Sequence, residues 1–415
     1  MKIELDLHYI IETEECNIDY LVEIFKKLSK MILVEFVKTV LIVFADKYMK
    51  MVRKPFSCTC GNNRNFIWKT KNAKPTTADT VYGSLELPQM QVQCKKCDKK
   101  MFITRSLLGI DKHKRMSNTT EKILALIGVL SPFRVTETIL NLVGVKFNRM
   151  RVWRCVQKVG EGITFSIDPD QEPSGQADGT GIPIRGIRKR GMELKVFIQN
   201  KVAGGARVAS LDIGRYEGGW DRLFAPLRQS IGNFKQFLLT TDGDTSIFKD
   251  MKCLNVITQR CLWHIPHQLK YSLWSDGVKR RSENWLFVMR KIFDISAIRP
   301  HLEEEEINAV LTEKKERLDN LIKFCDEQKY KACASYLQRA EPDMFTALEN
   351  RLNGKTSSLA ERVMKTVNMR INVGKWKPSG ALNAMKVRLA YYYNDWQPGI
   401  PEAEDAKISL FGKVE

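Results

Sequence analysis

Two aspartates mark where chemistry could occur. In "QADGTGI" Asp178 stands at the start of a strand-like stretch, and in "FLLTTDGDTSIF" an apolar run stops at Asp242. A carboxylate at the end of a buried strand is costly unless something offsets its charge. If the two strands are neighbours in one mixed sheet, the carboxylates meet at one edge. There they can hold a hard divalent cation, Mg²⁺ (or Mn²⁺), which takes oxygen ligands and keeps several waters. Two such ions about 4 Å apart activate an attacking hydroxyl and stabilise the leaving oxygen of a phosphodiester. A third carboxylate should come from a helix on the same edge, and Glu361 in "GKTSSLAERVMKTVNMRINVGKW" is the best candidate. The Thr-Ser-Ser cluster before it can cap that helix. Each Asp-Gly alone is common in turns; the ordered set is far more specific. Asp244 competes with Asp242, which is preferred because it directly ends the apolar run.

Between Asp242 and Glu361 lies "CLWHIPHQL", with Cys261 and His264 at Cys-x2-His spacing. The pair could bind zinc but lacks two evident partners. His264 could instead orient a substrate phosphate or the carboxylates, or be a core histidine; His267 reads as structural or exposed. A second set is Cys58-Thr-Cys60 and Cys94-Lys-Lys-Cys97, two close pairs either side of a strand-like segment. Four thiolates so arranged suit the tetrahedral zinc of a structural zinc ribbon, although Cys-x-Cys is tighter than the usual knuckle.

Charge points to the partner. The chain has 415 residues and a formal net charge of +19, and residues 53–160 hold 21 Lys/Arg against 6 Asp/Glu. A polyanion, nucleic acid first, fits that surplus; a solvated basic face is the plainer alternative. Within the block, "RVTETILNLVG", "VKFN" and "RMRVWRCVQKVGEG" have the rhythm of a helix-turn-helix, whose last helix enters the major groove. Arg149, Arg151 and Arg154 fall near the start of that helix; a three-helix bundle with a basic face is the other reading. In "IRGIRKRG", Arg185, Arg188, Lys189 and Arg190 could grip phosphates or simply decorate a hairpin.

The elements that would carry these residues follow from periodicity. Residues 1–52 read as helical, and 31–45 as an amphipathic helix docked on the body or on a second copy, too short and too charged to span a bilayer. Ser117 and Thr119 are candidate helix caps. Residues 53–105 form the cysteine-bearing domain, 106–166 the helix-turn-helix, and 168–176 a linker. Three strands follow, then a helix, then two strands: a mixed five-stranded α/β core over 172–267. Residues 268–353 are charged and helical, broken at Asp276-Gly277 and Pro300, and 354–415 return to the core with Glu361. The opening residues carry acids where a signal peptide would be apolar. Ten cysteines then suit metal binding or burial in a cytoplasmic, nucleoid-associated protein better than disulfides.

Taken together, "ADGT", "TDG", Cys-x2-His, the long helical block and "TSSLAER…N.R…GKW" resemble the Mutator-like DDE transposases of prokaryotic insertion sequences, over roughly residues 110–395. The resemblance implies an RNase H-like catalytic core interrupted by an all-helical insertion, with Asp178, Asp242 and Glu361 as the catalytic triad. It also places Cys261 and His264 on the family's Cys-x2-His element. Ser357 and Ser358 stand where the family commonly has Asn. The activity so implied is Mg²⁺-dependent cleavage at element ends and strand transfer into target DNA. The partners implied are double-stranded DNA with terminal inverted repeats and a second copy of the chain, as a dimer or higher oligomer, with residues 1–50 as interface. A transposase-derived regulator without catalysis and an RNase H-like nuclease are the rival functions.

Overall fold

The computed structural model describes residues 10–11, 17–111, 114–187, 192–215, 219–244, 247, 255–299, 302–352 and 358–399, with the backbone alone at 71–73. The chain divides into two compact units, residues 1–159 with 397–415 and residues 160–396.

In the first unit, helix α1 (Ile18–Lys50) is followed by a three-stranded antiparallel sheet, β1 (Phe66–Thr80), β2 (Gly83–Cys94) and β3 (Lys100–Phe102). Leu41 and Ala45 of α1 are buried in the core of that sheet, with Leu33, Val34 and Val37 packed against it. Segment 31–45 is therefore a docked helix face. Among the described residues, no helix is long and apolar enough to cross a membrane. After the short α2 (Thr104–Leu107) come α3 (Asn118–Leu130), α4 (Phe133–Leu142) and α5 (Arg149–Glu161). Ser117 caps α3 by accepting from Thr120 N at 3.1 Å. Thr119 is not a cap; it lies inside the helix, because the hydroxyl of Ser117 already takes the free N–H. Asn148 does the same for α5, accepting from Arg151 N at 2.9 Å.

The second unit is built on a five-stranded mixed sheet. Its strands are β4 (Ser174–Ile182), β5 (Met192–Asn200), β6 (Ala206–Gly214), β7 (Phe237–Thr241) and β8 (Val256–Arg260), in the order β6-β5-β4-β7-β8. The first three are antiparallel neighbours; β4, β7 and β8 run parallel. A parallel strand covered on both faces reads as a continuous apolar run, which is why all five residues of "FLLTT" in β7 are buried. The short helices α6 (Trp220–Leu223) and α7 (Ala225–Ser230) cover one face, where Ala177, Phe197, Phe224 and Leu227 share a core.

Strand β4 begins earlier than its sequence suggests. Ser174 and Gly175 read as linker but belong to the strand, so Asp178 lies mid-strand rather than at its start. Gly175 is required by packing: a Cβ there would come 2.4 Å from Ile198 O.

Among the described residues, five helices separate β8 from the last part of the sheet unit: α8 (His264–Ser275), α9 (Glu283–Ser296), α10 (Glu304–Glu327), α11 (Lys331–Met344) and α12 (Thr346–Glu349). They share a core of their own, including Leu269, Val288, Leu318 and Leu337. The block starts at His264 rather than 268, and the expected break at Pro300 lies outside the described residues. Its link to the sheet is polar. Gln259 donates to Met344 O at 2.7 Å and accepts from Ala347 N at 2.7 Å, closing the end of α11 and the start of α12. Arg260 grips Asp343 through Nε–Oδ1 at 2.8 Å and Nη2–Oδ2 at 3.1 Å.

Helices α13 (Ser358–Ile371) and α14 (Pro378–Tyr393) complete the unit. Of the expected Thr-Ser-Ser cap, Thr356 and Ser357 lie outside the described residues, and Ser358 is the first residue of α13. The "GKW" motif is structural: Trp376 N donates to Pro183 O, Arg185 N to Trp376 O, and the buried indole to Ile371 O.

Breaking a buried ion pair from one side leaves the other charge unpaired. Asp343→Ala should therefore cost about 3–5 kcal/mol of stability, measured by urea unfolding. Replacing Arg260 and Asp343 together by apolar residues should cost less.

Candidate functional site

Three elements converge on Asp178. Strands β4 and β7 pair in parallel with Ser174 beside Leu238 and Gln176 beside Thr240. Continuing that register by two residues sets Asp178 beside Asp242, and neighbours in register point to the same face. On that face α13 is tied to β4 at two points. Gln176 Oε1 accepts from Ala360 N at 2.9 Å, and Thr180 Oγ1 donates to Asn368 Oδ1 at 3.1 Å. The first tie fixes the first turn of α13, so Glu361 follows directly at the edge where Asp178 lies. A carboxylate there also suits the positive end of the helix.

The Cys-x2-His element arrives from the other side. Cys261 N donates to Thr241 O at 2.7 Å, which places the residue after β8 next to Asp242. His264 opens α8, and its Nε2 lies 3.1 Å from Glu361 Oε1. The two catalytic candidates on helices thus meet at the first turns of those helices. His267 lies against Trp263, ring centroids 4.1 Å apart.

Electrostatics reflects this convergence. Burial is the main reason the Asp178 carboxyl is pushed up to about 7; Glu361 and Asp242 add repulsion, while the Gly179 N–H and His264 only partly offset it. Burial opposes protonation of His264, yet Cys261, Asp242 and Glu361 outweigh it and raise its pKa. Asp242 is held by its own turn, with Oδ1 accepting from Asp244 N at 3.1 Å. Gly243 in that turn has φ +97°, and a Cβ there would meet Arg260 Nη1 at 2.8 Å. The glycine of "TDG" thus admits the guanidinium that anchors the helical block.

A further carboxylate escaped the sequence reading, on the side of the sheet opposite Asp178. Glu193 of β5 lies over Gly179, where a Cβ would be 2.4 Å from its Oε1. Burial, then Asp244 and Asp242, raise its pKa against the pull of Lys195, whose buried Nζ is 3.5 Å away. The available signal was a Glu-x-Lys pair inside an otherwise apolar strand. Asp244 and Asp242 both act on Glu193, and Asp242 also acts on Asp178 and His264.

Among the described residues, the four cysteines are the group whose ligand atoms all lie within 4.8 Å of one another; the carboxylates form a more open set. Two tight turns present the thiols. Cys58 Sγ is 3.5 Å from Cys97 Sγ, and Cys60 Sγ is 3.7 Å from Cys94 Sγ. Burial alone would raise Cys94, but the Asn62 amide, 3.0 Å from its sulfur, and backbone N–H groups lower it to about 6. Cys97 accepts from the Lys99 N–H, yet Cys58 and Cys60 push it up to about 12. Four sulfurs this close cannot all ionise unaided, and a soft divalent metal such as zinc fits them.

The expected DNA-contacting residues fall as follows. Arg149 and Arg154 are exposed on α5, and Arg185 is exposed after β4. Arg151 is engaged within its own unit, paired to the buried carboxylate of Asp79 and lying over the Phe147 ring. Arg188, Lys189 and Arg190 lie outside the described residues. Comparison with protein-family models and with curated proteins finds no match for this chain.

Two outcomes follow from these charges. Purified protein should carry one zinc per chain by metal analysis; stripping it, or Cys94→Ser, should lower the melting temperature of the first unit. For Asp178, the folded value lies above the ordinary 3.8. The folded state therefore binds the extra proton, and metal-free stability falls as pH rises from about 4 to about 7. Asp178→Asn should raise the melting temperature of metal-free protein clearly at pH 8 and less at pH 5.

Proposed function

We propose that the chain is a DDE transposase of the Mutator-like kind, which cuts DNA at the ends of its element and joins the freed strand to target DNA. The observation that carries this reading is the β4–β7 register, which brings Asp178 beside Asp242 while α13 delivers Glu361 to the same edge. The strand order β6-β5-β4-β7-β8, with three antiparallel strands and then two parallel ones, supports an RNase H-like core. A helical block with its own core, between β8 and α13, supports the insertion that this family carries.

Asp178, Asp242 and Glu361 offer hard oxygen donors along one sheet edge, a donor set that fits Mg²⁺. When bound, divalent ions would polarise the attacking hydroxyl and stabilise the leaving 3′-oxygen. The protein's own part is placement. Strands β4 and β7 fix the two aspartates, and α13 brings the glutamate. His264, whose pKa Cys261, Asp242 and Glu361 raise against burial, has Nε2 3.1 Å from Glu361 Oε1 and would hold that oxygen until substrate and ions engage it. Water attacks at the element end and frees a 3′-hydroxyl; that hydroxyl then attacks target DNA, with no covalent protein–DNA intermediate. The four-cysteine sheet, read as a zinc ribbon, and α3–α5, read as a helix-turn-helix, would bind the terminal repeats. Arg149 and Arg154 would be on the groove-facing helix.

The test uses labelled DNA spanning each boundary of the protein's own gene, incubated with Mg²⁺. Wild type should release 3′-ends and join them to a target duplex. Asp178→Ala, Asp242→Ala and Glu361→Ala should each lose far more than the roughly 10–100-fold typical of outer-shell changes to a metal site, while still binding the DNA. Binding without cleavage by the wild type would favour the regulator, and cleavage that ignores the boundary sequence would favour the nuclease.

A further inference from the structure

We infer that the outer face of α8 is a stacking platform for unpaired DNA bases next to the carboxylate site. This rests on the reading of the chain as a DNA-processing enzyme and specifies the form of its substrate there: a strand end peeled from its complement.

Helix α8 buries Ile265, Leu269 and Leu273 in the helical block. Its opposite side carries Trp263, Tyr271 and Trp274, which are 54%, 68% and 78% exposed. With His267 they recur every three or four residues, so they form one stripe along the helix. Large rings left in water at that spacing serve no core. From Trp263 to Trp274 the helix rises roughly 16 Å, the reach of a few stacked nucleotides. The stripe begins at the residue before His264, whose imidazole touches Glu361. A strand lying on it would therefore run into the carboxylate site.

Charge selects the occupant. Residues 263–281 contain Lys270, Lys279, Arg280 and Arg281 against one acid, Asp276. Both oxygens of Asp276 accept from the start of α11, at Ala332 N (2.8 Å) and Cys333 N (2.9 Å). With four cations against one acid, this segment carries a net positive charge. A second copy pairing through this face about a two-fold axis would oppose like charges. A phosphate backbone meets complementary charge, and bases stack on aromatic rings regardless of sequence. The face suits unpaired strand better than intact duplex, whose bases present no free planar surface.

The experiment is fluorescence anisotropy with full-length protein, without divalent cation, on a labelled oligothymidine of about 12 nucleotides and on a blunt duplex of similar length. Tyr271→Ala/Trp274→Ala should weaken single-strand binding by roughly 5- to 150-fold or more, the range for lost base stacking. Duplex binding should change less than about twofold. Both side chains are exposed, so the variant should keep its far-ultraviolet spectrum and melting temperature. No binding of the oligothymidine by wild type, equal losses on both DNAs, or no loss on either would overturn the inference. So would a shift in sedimentation from dimer to monomer with oligothymidine binding unchanged, which would mark the face as an interface between copies. The assay needs neither metal nor catalysis and should give the same result in a Glu361→Ala background. Its failure is therefore separable from failure of the transposase reading.

Discussion

The second unit is organised around a carboxylate in the middle of its central strand. Asp178 is flanked by β5 on one side and β7 on the other, and α13 packs over it. In that position its negative charge loses water and faces Asp242 and Glu361. A side chain that unfavourable would be replaced by valine if strand packing were all that mattered, and Val196 stands opposite it in β5. The surrounding structure therefore maintains a repulsive arrangement, the pattern expected where charge serves a ligand rather than stability.

The end of β8 is the joint through which the helical block is held to this arrangement. Gln259 and Arg260 point their polar groups into α11 and α12, while the next residue, Cys261, turns back to Thr241 of β7. The same few residues therefore fix the helical block, the turn that carries Asp242, and the start of α8 with His264. Gly243 belongs to this joint as well, since only a residue without a Cβ lets the Arg260 guanidinium pass beneath the turn. A change in how the block is held would be felt first at Asp242 and His264.

Much of this was legible in the sequence because strands and helices announce themselves by periodicity. The apolar run 237–241 marks β7, and Glu361 lies in a strongly patterned helix. What could not be read was register. Nothing local states that Ser174 pairs with Leu238, and a shift by one residue would have turned Asp178 to the other face. The polar start of β4 looked like linker because its small residues are there for close packing against β5, a tertiary demand without a local signature. Glu193 was hidden for the same reason: a charged residue in a strand reads as solvent-facing until the partner strand shows Gly179 beneath it. Arg151 illustrates the converse, a cation whose type suggested DNA but which pairs with an aspartate distant in sequence, Asp79.

The two ionisable clusters obey one rule with different chemistry. In the first unit, four thiols crowd together; against burial, the Asn62 amide and backbone N–H groups let Cys94 give up its proton readily, while Cys58 and Cys60 make Cys97 resist. In the second, the buried Asp178 is the carboxyl that resists. Each is a set of like groups that cannot all ionise without a cation. Sulfur donors packed within a few ångströms suit a soft ion held permanently, and with such an ion bound that cluster would act as a staple. Oxygen donors spread more openly, with Glu361 already engaged by His264, suit a hard ion that keeps its waters and exchanges with substrate. On the proposed reading, the tightness of each set would separate a structural role from a chemical one, independently of any motif.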